Sequence, residues 1–231
     1  MLSQHSYINS ILWSYGFDDT KPISTPMDVN IHLMSTQSPS TTEEFAKMHN
    51  LLYHEAVGSL MYVSLGTHPN ITIAVQTVSC FSSKPGITHW EAVKWIFHYL
   101  KGTCNLWLTY GNSVKELEGY ADVDGSMAED HKVISGYAFL VDGGAVSWSA
   151  KRQKIISLST TESEYVAAIH AAKEALWLHS LILSLFGIDI PTTTLFFQQS
   201  IGTLTQEHQY HTITKHIDIW FHFLCWIIEE G

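Results

Sequence analysis

The sequence predicts an α/β chain in two parts, a mostly helical first segment followed by a mixed sheet flanked by helices. Three observations carry this. Apolar residues recur at helical spacing through the first hundred or so positions. Between 106 and 148 they fall instead into short β-branched and aromatic runs separated by Gly, Asn and Asp. After 159 a long helical period, one more strand-like run and a final helical period follow. With 231 residues and 45 % hydrophobic side chains, folding can bury roughly 70–75 % of the surface that the unfolded chain exposes.

Tyr7, Ile8, Ile11, Leu12 and Tyr15 form an i, i+3/i+4 stripe, so 5–16 reads as a short amphipathic helix stopped by Gly16. Residues 21–27 (KPISTPM) read as turn or extended chain, and 35–42 (STQSPSTT) as a polar exposed loop. The spacing predicts one helix over 43–65 and another over 71–81, with Pro69 near the first turn of the latter. Thr88 and Glu91 have capping-box spacing and are expected to open a helix carrying Val93, Ile96, Phe97 and Leu100 on one face, up to Gly102.

Beyond Gly102 the runs at 106–110, 117–122, 136–141 and 145–148 predict an antiparallel meander. Ser159 and Glu162 form a second capping-box pattern, opening a helix through Val166, Ile169, Ala172, Leu176 and Leu183 to a Gly187 stop. A strand at 192–197 and a helix at 214–230, striped by Ile217, Trp220, Phe221, Leu224 and Ile228, complete the order. The change of character divides the chain into 1–104 and 112–231, and no internal repeat is visible.

Twelve Lys and Arg against 22 Asp and Glu give a net charge of −10, which repels nucleic acid at long range. Binding it therefore requires a local basic patch, and Lys151, Arg152 and Lys154 form the compact one. Cys80, Cys104 and Cys225 lack C-x-x-C spacing, so reduced thiols without a disulfide partner, in an intracellular compartment, are expected. The opening MLSQHSYINS has no signal-peptide pattern, and His179 and His222 interrupt the two most apolar stretches, so no membrane span is expected. His208, His211, His216 and His222 lack the i, i+4 pair or Cys partner of a zinc site.

The chemistry points to acids. Asp122, followed by Asp124, stands at the end of a predicted strand, where a rigid sheet can hold a hard oxygen ligand for Mg²⁺; a solvated turn is the plainer alternative. Glu162 is accounted for by helix capping, whereas Glu164, two positions on, lies on a different face. Asp218 sits one turn before His222, either as a polar-face residue or as a third acid. Acids from a strand end, a helix start and a later helix can converge on two divalent ions about 4 Å apart, the arrangement that hydrolyses phosphodiesters.

At this point the strings YHEAVGSLMY (53–62), SKP (83–85), HWEAVK (89–94), YLKGT (99–103), GAVSW (144–148), STTESEY (159–165) and TKHIDI (214–219) come together. In that order they resemble the C-terminal part of a copia-type retrotransposon Pol polyprotein. The resemblance covers essentially the whole chain. It implies that 1–104 is the thumb- or connection-like tail of a reverse transcriptase. It also implies that 112–231 is an RNase H-like domain, a mixed sheet flanked by helices that cleaves RNA in an RNA–DNA hybrid with two Mg²⁺. The implied partners are that hybrid and the remainder of a Pol polyprotein. The family continues past the position of Gly231, so a C-terminally truncated domain is expected.

Carried over residue by residue, the resemblance assigns catalytic metal ligation to Asp122, Glu164 and Asp218. A further family aspartate, in a pattern resembling C-D-N-Q-S-A, would fall near Gln198, where this chain reads FFQQS (196–200). A neutral ligand there removes a full negative charge between two cations. Such a loss is worth on the order of several kcal/mol, each ~1.4 being tenfold in rate, so a weak or inactive nuclease is expected. Tyr15 to Asp19 does not have the Tyr-x-Asp-Asp spacing of a polymerase site. Where the family shows Arg this chain has His54, His68, His98, His131, Trp95, Trp220 and Cys225, and for Asp it has Asn70, all single-base C-to-T or G-to-A changes. Two other readings stand beside the nuclease: a non-catalytic nucleic-acid-binding or interaction module, and a decayed relic without activity.

Overall fold

The chain divides into two units, Met1–Thr109 and Tyr110–Gly231. A computed structural model describes residues 1–28, 30–111, 116–124, 133–153, 160–190 and 193–197. Among them are six α-helices and one four-stranded mixed sheet, an α/β chain.

The first unit is helical: α1 (His5–Ser14), α2 (Thr42–His49), α3 (Tyr53–Gly66), α4 (Thr72–Ser79) and α5 (Ile87–Thr103), with 3₁₀ turns at Ser35–Gln37 and Pro69–Ile71. Its core is built from Ile8 and Leu12 of α1, Leu60 of α3, and Ile96, Phe97 and Leu100 of α5, all essentially solvent-free. Phe17 stacks on Phe97 at 5.0 Å. The buried Tyr53 hydroxyl donates to Val78 O at 2.7 Å, tying α3 to α4, and burial pushes that phenol far above its ordinary pKa.

Four expectations are corrected here. The helix expected over 43–65 is two, because Met48 and Tyr53 both enter the core. Five residues apart on one continuous helix they would point in directions about 140° apart, and the break at 50–52 removes that conflict. Part of the expected loop is ordered, since Glu44 N–H donates to Thr41 Oγ1 and Glu44 Oε2 accepts from Thr41 N and Ser40 N, a complete capping box. Those backbone hydrogen bonds hold the Glu44 carboxyl below the ordinary glutamate range. Helix α5 opens at Ile87, not at Thr88. Gly86 is its N-cap, its N–H donates to His89 Nδ1 at 2.8 Å, and a Cβ there would collide with Gln37 O. The run at 106–110 is no strand: a single antiparallel bridge joins Leu2 and Leu108.

Several residues standing where the resemblance implies Arg or Asp are satisfied donors. His68 Nε2 pairs with Thr103 O at 3.2 Å, His98 Nδ1 with Lys21 O at 3.0 Å, and Trp95 Nε1 donates to Thr25 O at 2.9 Å. Asn70 Nδ2 donates to Tyr99 Oη.

In the second unit β1 (Leu117–Asp124), β2 (Ile134–Val141) and β3 (Gly144–Arg152) form the meander, α6 (Thr160–Phe186) follows, and β4 (Thr193–Phe196) pairs parallel to β1. The strand order is β3-β2-β1-β4. Asp142 and Gly143, both at positive φ, make the two-residue β2–β3 hairpin turn. Odd-numbered positions of β1 and β2, among them Leu117, Ala121 and Phe139, cluster with Ala171, Ala175, Leu178 and Ile182 of α6. The small alanines let the helix approach closely, and the sheet answers with Gly119, where a Cβ would meet the Phe139 ring at 2.5 Å and run into a Leu195 methyl. By length and composition α6 could cross a membrane, yet half of its apolar window is buried inside the fold. His179, the residue that interrupts the apolar run, pairs through Nε2 with Ile190 O at 2.9 Å and anchors the chain leading to β4.

Gly119→Ala overpacks this contact, and urea denaturation should show a loss of about 1–3 kcal/mol. His68 is buried, and desolvation lowers its pKa. The unfolded state therefore binds the extra proton first, and stability falls as pH drops from about 6.5 through the lower folded value. His68→Gln should flatten that dependence in denaturation midpoints measured above and below this window.

Candidate active site

Asp122 occupies the sixth position of β1, on the face turned away from α6. Its neighbours Ala121 and Val123 belong to the odd-numbered, helix-facing set, and its own carboxylate is exposed, with Oδ1 accepting from Val123 N at 2.7 Å. Across the ladder its partner is Gly136, so no β2 side chain stands opposite and one flank of the carboxylate stays open. Behind it along β1, Tyr120 stacks on its ladder partner Phe196 of β4 at 4.9 Å and donates to Glu118 Oε2 at 3.2 Å.

Glu164 lies in the first turns of α6, half-buried. It is seven residues before Ala171, hence on the same stripe that meets the sheet. The end of the sheet at which it stands follows from two contacts. Gln153, just past β3, donates through Nε2 to Ser163 O at 2.8 Å, while its N–H donates to Val133 O at 2.9 Å at the head of β2. Ile134 of β2 pairs with Asp124 of β1 and Arg152 of β3, so the start of α6 is tied to the end of the sheet where β1 terminates. Asp122 and Glu164 thus share one end of the sheet, approached from its two faces.

Lys151 and Arg152 close β3 at that same end, with Lys151 on the α6 side in register with Ser135, and Arg152 on the other. Asp218, Lys154 and Gln198 lie outside the described residues, as does the helix expected at 214–230. Asp122 and Glu164 are hard-oxygen donors of the kind Mg²⁺ prefers, but they stand on opposite faces of this sheet end, and among the described residues no group of three or more His, Cys, Asp or Glu could hold a metal. Cys80 and Cys104 are free thiols.

Sequence reasoning missed the α6 side of this region. Ser147 Oγ donates to Glu174 Oε1 at 2.6 Å, and Tyr137 is hydrogen-bonded to the same carboxylate. Burial, then the Glu174 charge, raises the Tyr137 pKa. Only the alternation Ser147, Ser149, Lys151 on a strand hinted that a polar edge faces a helix.

The order of elements, the parallel β4 and the acid-bearing strand end define an α/β sheet domain preceded by a helical unit, and comparison with known proteins supplies its family. The chain is 41 % identical over 233 residues to the retrovirus-related Pol polyprotein from transposon TNT 1-94 of Nicotiana tabacum, covering 99 % of this chain and 17 % of the relative. It is 30 % identical over 238 residues to the Pol polyprotein from transposon RE2 of Arabidopsis thaliana, covering 100 % of this chain and 16 % of that one. It is also 41 % identical over 133 residues to secreted RxLR effector protein 161 of Plasmopara viticola, covering 57 % of this chain and 94 % of the relative. The chain belongs to the retrovirus-related Pol polyproteins of copia-type transposons, and spans about a sixth of the length of the polyproteins it matches. No family model and no solved structure matches it.

Gln153→Ala removes a buried link between β3 and α6 and leaves the Ser163 carbonyl without that donor. A loss of about 1–3 kcal/mol in chemical denaturation is expected.

Proposed function

We propose that residues 112–231 are an RNase H-like domain, ancestrally cleaving RNA in RNA–DNA hybrids, and that the neutral residue at 198 leaves this copy weak or inactive. The observation that carries the reading is the sheet order β3-β2-β1-β4 with β4 parallel to β1, which sets Asp122 and the start of α6 at one end of the sheet. Residues 1–104 are then the reverse-transcriptase tail, and the chain works in an intracellular, polyprotein context.

Asp122 and Glu164, with Asp218, would hold Mg²⁺. Bound there, the ions supply a nucleophilic water and stabilise the leaving oxygen of phosphodiester hydrolysis. The chain's own part is positional: β1 presents Asp122 rigidly beside Gly136, and the Gln153–Ser163 link holds the first turn of α6 in place. A non-catalytic module is the second reading, favoured by one observation: the stretch shared with the Plasmopara viticola protein makes up 94 % of that protein, so a piece of this kind exists as a separate chain.

Cleavage of a labelled RNA–DNA hybrid in Mg²⁺ or Mn²⁺ tests the reading. Gln198→Asp should raise the rate about a hundredfold, the equivalent of roughly 2.7 kcal/mol, and Asp122→Asn in that background should abolish it. Hybrid binding with no cleavage by either chain supports the module, and neither binding nor cleavage supports the relic.

A further inference from the structure

We propose that Gln4, Thr67, His68 and Thr103 form a proton-operated clasp: when the His68 ring takes up a proton, the Thr67 hydroxyl is fixed on Gln4 and the segment before α1 is tied to the end of α3. The clasp belongs to Met1–Thr109 and goes beyond the nuclease reading, which concerns the other unit.

A count of donors and acceptors carries it. Gln4 Nε2 donates to Tyr62 O at 3.1 Å, so the atom that Gln4 turns to Thr67 is Oε1, an acceptor. Thr67 Oγ1 lies 2.8 Å from that oxygen and 2.9 Å from His68 Nδ1. On the far side of the ring, His68 Nε2 lies 3.2 Å from Thr103 O. Each of these contacts needs a proton between its two atoms, and neither the amide oxygen nor the backbone carbonyl supplies one. The hydroxyl and a neutral imidazole bring one proton each. With the ring proton on Nε2, the hydroxyl must choose between Gln4 and Nδ1; with it on Nδ1, the ring turns a lone pair to the Thr103 carbonyl. Either way two acceptors face each other, although Thr67 and His68 are both buried. The imidazolium brings the missing proton: Nδ1–H donates to Thr67, the hydroxyl donates to Gln4, and Nε2–H donates to Thr103.

The surroundings suit a cation. His68 directly follows Thr67, the C-cap of α3, and its ring reaches the carbonyl of the last residue of α5, so the negative ends of two helices meet at it. The titratable side chains on the neighbouring turns are His5 and Tyr7 of α1, Tyr62 of α3, and Tyr99, Lys101 and Cys104 at the end of α5; the 3₁₀ turn Pro69–Ile71 and α4 carry none. Burial disfavours the His68 charge and the Thr103 carbonyl favours it. The clasp works against burial, so releasing Gln4 lowers the proton affinity of the ring further.

The place for Gln4 is built. Gly66, the last residue of α3, makes room for its amide, and a Cβ there would collide with it. Next to Gln4, His5 pairs through Nδ1 with Cys104 O at 3.0 Å, and before it Leu2 and Leu108 exchange N–H donors and carbonyl acceptors at 2.9 Å. The Leu2 and Leu108 amides therefore report how firmly the segment is held.

The test is an NMR titration of the histidines in the full chain, with His68 identified by the signal lost in His68→Gln. Gln4→Ala and Gly66→Ala, which remove or displace the amide, and Thr67→Val, which removes the hydroxyl, should each lower the His68 midpoint by about half a unit, roughly a threefold loss of proton affinity, while Thr67→Ser keeps it. Gln4 is half-buried and Gly66 is not at positive φ, so the first two variants leave the core intact. Linkage requires protonation to tighten the segment by the same factor. Protection of the Leu2 and Leu108 amides against hydrogen exchange, corrected for intrinsic rates, should rise about threefold as His68 titrates in the unaltered chain and stay level in His68→Gln. A midpoint unmoved by Gln4→Ala and Gly66→Ala, protection that falls or stays flat through the titration, or protection that rises equally in His68→Gln would each overturn the proposal.

Discussion

The close approach of α6 to the sheet is the constraint on which the second unit depends. A stripe of alanines in the helix meets Gly119 and Ala121 of β1 and the fully buried Phe139 of β2. Interiors packed at crystal-like density leave no slack for an extra methyl at such a contact. Once the helix is seated, the position of the groups along it follows: Glu164 at the end of β1, Glu174 over Ser147, and His179 at the loop that returns the chain to β4.

Polar groups then sort by where that seating leaves them. Those caught between helix and sheet find partners, as with Ser147, Tyr137 and Glu174, because an unpaired buried polar group costs about 1–3 kcal/mol. Asp122, on the opposite face, meets a glycine across the ladder and stays exposed. The same logic holds in the first unit, where His68, His98 and Trp95 each meet a backbone carbonyl. Neutral rings can serve such acceptors without the charge that an arginine would bring to a phosphate.

Much of the architecture was legible because it rests on local signals. Gly187 stops α6 through a positive φ that side chains disfavour, and the β2 and β3 runs alternate around an Asp-Gly turn. The failures share one cause, tertiary contact overriding local pattern. Helical periodicity ran on through 50–52, yet Met48 and Tyr53 could both be buried only by breaking it. Thr88 and Glu91 have capping-box spacing, but Gly86 packs against Gln37 O and takes the N-cap, with His89 bonding back to it. The apolar run at 106–110 has a strand's composition but only Leu2 to pair with. At the candidate site, Asp122 and Glu164 could be singled out as residues. The contact of Ser147 with Glu174 could not, since 27 positions separate them.

The sequence by itself determined the two-part organisation, the Pol kinship and the neutral residue at 198, because residue identity and spacing encode these without reference to distant contacts. Only the tertiary structure decided that Asp122 and Glu164 share one end of a sheet, and that Lys151 faces the polar side of α6. Strand register and helix seating bring together residues far apart in the chain, and both are set by the packing of small against large side chains, a property of pairs and not of any single stretch.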